Sequence, residues 1–84
     1  MSIAANQTSL WELPAGGSAI IAGINGELDA ATQRLIDIGF REGQRVTCLL
    51  IPGFGAPRVF VVGGATYSLD RAIAERVKTI ESDS

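Results

Sequence analysis

The chain has 84 residues, seven basic against nine acidic side chains for a net charge of −2, and no histidine. That length holds one domain with one small core, and 46% hydrophobic residues with ten glycines describe a turn-rich globular chain, not a disordered one. The basic residues are scattered from Arg34 to Lys78 without a run, which argues against a nucleic-acid partner and against direct attachment to an anionic membrane surface.

Residues 1–8 are polar and small and read as a loose N-terminus ahead of a domain spanning 9–81, with 82–84 as a tail. Ser9 can cap a helical turn carrying Leu10, Trp11 and Leu13, which Pro14 stops. Trp11 is expected to pack under that turn. Ser18 to Gly23 reads as a strand, and Asn25-Gly26 as a turn leading to a helix. Leu28, Ala31, Leu35 and Ile38 recur at spacings of three and four, so they share one helical face, and Leu35 and Ile38 are expected to be buried. Gly39 follows, where a helix ends at least cost in the left-handed region, and Phe40 can fold back on the last turn.

Arg45 to Ile51 reads as the strongest strand, with Val46, Cys48 and Leu50 on one face and Thr47, Leu49 and Ile51 on the other; both faces are largely apolar, so it is expected to be covered on both sides. Pro52 to Pro57 is a loop. Val59 to Val62 and Thr66 to Leu69 are strands joined by a Gly63-Gly64 hairpin turn. Asp70 can cap a short helix reaching Glu75, and Val77 to Glu81 is a last strand. About five short strands, one helix and two helical turns in so few residues favour a mainly β fold, a small partly open barrel that leaves little exposed edge.

Several chemistries are missing from this inventory. Without histidine the commonest general base and the commonest transition-metal ligand are gone, and a single cysteine, Cys48, builds neither a disulfide nor a Cys/His metal site. Cys48 is expected to be a buried, inert thiol. The carboxylates, Glu27 and Asp29 included, show no ligand-loop spacing. The Gly53 and Gly55 pair and Gly63-Gly64 lack the Lys-Ser/Thr partner of a phosphate loop, and no hydroxyl has a base partner. The expectation is a non-enzyme with no catalytic, cofactor or metal site, holding divalent metal weakly at most. No stretch approaches the roughly 20 apolar residues of a membrane span, and no signal-peptide layout opens the chain, so it is expected in the cytoplasm. Surface recognition remains. Phe54 stands between Pro52-Gly53 and Gly55-Ala56-Pro57, either as an anchor for a partner or as a plug folded back into one end of the barrel.

Leu35-x-x-Ile38-Gly39-Phe40-x-x-Gly43-x-x-Val46 resembles the signature of the ferrous iron transport protein A family, FeoA. Leu10 and Leu13 before Gly16-Gly17, Pro52 to Pro57, and Gly64 with Tyr67-Ser68-Leu69 are similar to that family's opening, loop and closing stretches, in order and across about residues 9 to 81. Asp70 stands where the family commonly has arginine, and Ala56 replaces a polar residue or glycine. The resemblance implies an SH3-like barrel. It also implies an accessory role in bacterial ferrous iron uptake, through binding the cytoplasmic region of the transporter FeoB, which would recruit the protein to the inner face of the membrane. Candidate contact residues are Gly53, Phe54, Gly55 and Ala56 in the loop and Gln33, Arg34 and Asp37 on the polar face of the helix. Two alternatives stay open: a free-standing SH3-like regulatory domain related to the C-terminal domain of iron-dependent repressors, and a generic peptide-binding SH3 module.

Overall fold

The computed structural model describes residues 7–25 and 29–81. Its elements are β1 (Gln7–Ser9), a 3-10 turn (Leu10–Glu12), β2 (Ser18–Ile24), α1 (Ala30–Ile38), β3 (Arg45–Leu50), β4 (Arg58–Val62), β5 (Ala65–Leu69), α2 (Arg71–Ala74) and β6 (Val77–Glu81). All strand pairs are antiparallel, in the order β1-β6-β2-β3-β4-β5, so the sheet curls without closing and β1 and β5 are its edges. The mainly β, partly open barrel with one helix inserted before β3 is the architecture expected. A sixth strand is the difference. Gln7 and Thr8 belong to β1, not to a loose terminus; they pair with Ile80 and Thr79. Three polar residues carry no alternation signal, and this strand exists because β6 offers an edge to pair with. Residues 1–6 and 82–84, and Gly26 and Leu28 of the expected turn and helix, lie outside the described residues.

The core is built by alternation. Ala19 and Ile21 of β2, Val46 and Cys48 of β3, Phe60 and Val62 of β4 and Val77 of β6 point inward and are buried. Cross-strand partners match: Val46 stands opposite Val62 and Cys48 opposite Phe60. Thr79 is the buried polar member of this layer, and its hydroxyl donates to the Thr8 carbonyl (3.3 Å). Trp11 joins the core below the 3-10 turn. The Arg58 guanidinium stacks 3.9 Å from the Trp11 ring centroid, and its Nη1 donates to the Trp11 carbonyl. Ser9 is the N-cap of the turn, as expected, and the Glu12 carboxylate reaches back to accept from the Ser9 amide (3.2 Å) and hydroxyl (3.3 Å).

The α1 cap follows the sequence reading closely. Gly39 has φ 119 and ψ 2, and the Phe40 amide donates to the Leu35 carbonyl (2.9 Å), the long closure of a Schellman motif. Phe40 thereby turns back and is fully buried. Leu35 is buried as expected, whereas Ile38 is half-buried, packed against the core from its rim. A Cβ on Gly39 would meet no atom within 4 Å, so a substitution there costs backbone strain alone. We expect Gly39→Ala to lose roughly 1 kcal/mol and Gly39→Val more, read as a lower urea midpoint at unchanged slope. Equal stability for Gly39→Val would refute the strain argument.

The strongest strand departs from expectation. Leu50 does not continue the inward face of Val46 and Cys48, and the outer face is not covered: Leu49 and Leu50 are both more than half exposed. The cause is a β-bulge. Cys48 pairs with Phe60 but Leu50 pairs with Val59, so Leu49 is an extra residue that breaks the two-residue period. Ile51 then regains contact with the core.

Candidate functional site

Beyond the bulge the chain enters a turn in which three consecutive residues have positive φ: Gly53 (102), Phe54 (54) and Gly55 (73). Ala56 closes it with its amide on the Gly53 carbonyl (3.0 Å). Glycine accepts this backbone freely, but phenylalanine does not; the left-handed region costs a residue with a Cβ roughly 1–2 kcal/mol. Phe54 is fully exposed, so it plugs no barrel end, and of the two sequence readings the outward one describes its position. Among the described residues the exposed large hydrophobics are Leu49, Leu50 and Phe54, all within this β3–β4 segment. Phe54 was visible in the sequence; Leu49 and Leu50 were missed, because a bulge has no signal in one strand alone.

The helix residues singled out with the loop fall into two groups. Gln33 donates to Asp37 through Nε2 (3.0 Å) across one exposed turn. Arg34 is exposed and turns to a separate groove between α1 and β5. No hydrogen bond or ion pair between described residues links either group to Gly53, Phe54, Gly55 or Ala56.

A polar cluster at the start of α1 was also missed. Asp29 caps the helix by accepting from the Thr32 amide (2.9 Å), and Arg76 Nη1 meets its carboxylate at 2.8 and 3.0 Å and the Thr32 hydroxyl at 3.1 Å. The Thr32 amide and then the Arg76 guanidinium hold the Asp29 carboxyl at about 2, below the usual 3.8. A carboxyl depressed in the folded state stabilises it above the ordinary value and loses that contribution as pH falls through the folded one. We therefore expect stability to drop as the pH falls from 3.8 through about 2. Asp29→Asn should flatten that part of the profile, which urea midpoints across this range would show. An unchanged slope would contradict the link.

Several other chemistry-bearing groups are occupied in structure. Asp70 caps α2 by accepting from the Ile73 amide (3.0 Å), and Arg71 pairs with Glu75 at 2.9 Å. Cys48 is buried, and burial pushes its thiol up, away from the thiolate. Among the described residues no three His, Cys, Asp or Glu side chains gather to hold a metal ion, and no helix is long and apolar enough to cross a membrane.

With the open barrel, the capped helix and the glycine-bounded loop in place, the chain matches the model of the FeoA domain over residues 8–79. It belongs to the FeoA domain family. Among solved structures, the zinc complex of Stenotrophomonas maltophilia FeoA is 31% identical, with a TM-score of 0.79 over 86% of this chain and 88% of that one. That protein is described as a prokaryotic SH3 domain protein and put forward as a bacterial ferrous iron transport activating factor. FeoA of Chlorobium tepidum is 27% identical, with a TM-score of 0.79 over 92% of this chain and 73% of that one. IdeR of T. acidophilum shares the fold alone: 16% identity and a TM-score of 0.81 over 98% of this chain but 37% of that one. No curated protein matches. The FeoA domain described here is thus an SH3-like barrel of a family tied to ferrous iron transport.

Proposed function

We propose that this FeoA domain is a non-catalytic, cytoplasmic accessory protein of ferrous iron uptake that binds the cytoplasmic region of FeoB. The observation that carries the reading is Phe54, held fully in solvent on a strained left-handed backbone in the same β3–β4 segment as the exposed Leu49 and Leu50. Local strain of this kind persists where the surroundings enforce it, and it gathers at sites of function. The loop presents an aromatic side chain on a turn bounded by Pro52 and Pro57, whose fixed φ lowers the backbone entropy lost on docking. By binding one conformation of the transporter better than another, such a barrel would shift its populations without performing chemistry itself. The donor set supports the same reading: no histidine, one buried cysteine and dispersed carboxylates leave iron as the transporter's cargo, with at most weak binding here.

Phe54→Ala tests the contact. It should change stability by less than about 0.5 kcal/mol, because the ring packs on nothing, and weaken binding to the FeoB cytoplasmic region by about 1 kcal/mol or more. Melting curves, a pull-down with that region and ferrous uptake in a strain carrying the variant are the measurements. Full binding and full uptake would overturn the loop contact and move it to the α1 face of Gln33, Arg34 and Asp37.

A further inference from the structure

A groove of about 380 Å³ runs between α1 and β5. That is within the size range of ligand clefts, at the small end. On the helix side its walls are Ala31, Leu35 and Ile38; on the strand side they include Tyr67, Ser68 and Leu69. These last three are consecutive in one strand. Their side chains alternate between opposite faces of the sheet, so a cleft that touches all three meets the strand from its edge. β5 is an edge of the sheet and pairs with β4 alone.

The hairpin register says which backbone groups are free. Val62 and Ala65 close the two-residue Gly63-Gly64 turn as directly opposed partners, and such a closing pair exchanges hydrogen bonds. Antiparallel pairing then alternates: Phe60 with Tyr67 and Arg58 with Leu69 are hydrogen-bonded pairs, while Thr66 and Ser68 turn their N–H and C=O away from β4. Ser68 presents that unpaired backbone to the groove. Arg34 is the charged residue on the groove walls, exposed and without an ion pair among the described residues. Asp37, one turn on from Arg34, accepts from the neutral Gln33 amide and forms no ion pair with Arg34, and Arg71 is paired with Glu75.

We propose that this groove binds an extended polypeptide segment by β-strand addition to the free edge of β5. Alternate apolar side chains of the segment enter the groove over Ala31, Leu35 and Ile73, leaving the Tyr67 hydroxyl on the Ile38 carbonyl, and an Asp or Glu side chain meets Arg34. Strand addition supplies affinity through the backbone, and pockets for alternate side chains supply specificity. The acidic group belongs to a side chain and not to a chain end. A terminal carboxylate is held by a nest of backbone amides, and here the Gly39 and Phe40 amides are already bonded within the α1 cap, as is the Ile73 amide to Asp70. The groove shares no residue with the β3–β4 loop, so it stands or falls separately from the FeoB contact proposed for Phe54.

The test is a displayed library of random segments of about ten residues, selected on the immobilised protein, followed by synthesis of the enriched sequence with both ends blocked. Enriched sequences should alternate apolar residues and carry one Asp or Glu at a fixed place, and the Thr66 and Ser68 amides should gain protection from hydrogen exchange. Arg34→Glu should weaken the peptide about fivefold, and reselection on that variant should exchange the acidic residue for Lys or Arg. Ser68→Pro removes an outward N–H that β4 does not use, a substitution tolerated on edge strands, and should weaken binding about tenfold. If Ser68→Pro does not fold, Arg34→Glu on the exposed helix face decides alone. Absence of enrichment, shifts confined to Leu49, Leu50 and Phe54, or binding indifferent to the variants would overturn the proposal. So would a concentration-dependent dimer abolished by Ser68→Pro, which would give the edge to a second copy of the chain.

Discussion

Phe40→Ala is expected to lower stability by ~3–5 kcal/mol, the usual range for loss of a buried aromatic ring. Phe40 is completely enclosed. Its ring meets Tyr67 edge-on, with centroids 5.6 Å apart, and the Tyr67 hydroxyl donates to the Ile38 carbonyl (3.0 Å). The ring therefore joins three parts: the glycine cap of α1, the last helical turn and β5. Its removal leaves a dry cavity and takes away an aromatic pair worth about 0.5–1.5 kcal/mol beyond its area. Domains of this size are stable by only ~5–15 kcal/mol, so the variant should approach spontaneous unfolding. Urea unfolding followed by Trp11 fluorescence measures it. A loss below about 1 kcal/mol would mean that Phe40 does not hold the helix to the barrel.

Leu35→Ala is expected to cost less, toward the lower end of ~2–5 kcal/mol. Leu35 is as well buried as most core residues, yet its side chain also forms part of the wall of the α1–β5 groove. The space it vacates opens to that groove, where neighbours can relax and water can enter, so little of it remains as an empty cavity. The two variants thus test one argument about enclosure. In melting experiments each kilocalorie should move the transition by about 4–8 °C, and Phe40→Ala should lie below Leu35→Ala. The reverse order would show that the groove floor is packed more tightly than the cap.

Short-range physics made much of this protein legible from its residues. The face of Leu35 and Ile38, the stop at Gly39, the return of Phe40, the Gly63-Gly64 hairpin and the Asp70 cap each depend on neighbours within a few positions, where a missing Cβ or a nearby carboxylate decides the backbone. The inward alternation of β3 was legible up to Cys48 for the same reason. The list of missing chemistry, above all histidine, was a matter of composition, and the glycine and leucine signature was enough to point to the FeoA family.

What only tertiary structure decided involves partners distant in the chain. β1 forms because β6 has an edge to fill, and Asp29 is tied to Arg76 across 47 positions, as Arg58 is to Trp11. The bulge at Leu49 exists only as a mismatch between two strands, and it turned Leu50 from an expected core residue into an exposed one. Phe54 was open between inside and outside because its neighbours, two glycines and two prolines, fix a tight turn but not the direction in which the turn faces. That direction is set by how β3 and β4 leave the barrel, and the free edge of β5 beside Arg34 is likewise a product of strand order. Local sequence determines which backbone conformations are cheap; which surfaces remain unpaired depends on the sum of long-range contacts, and no single segment records it.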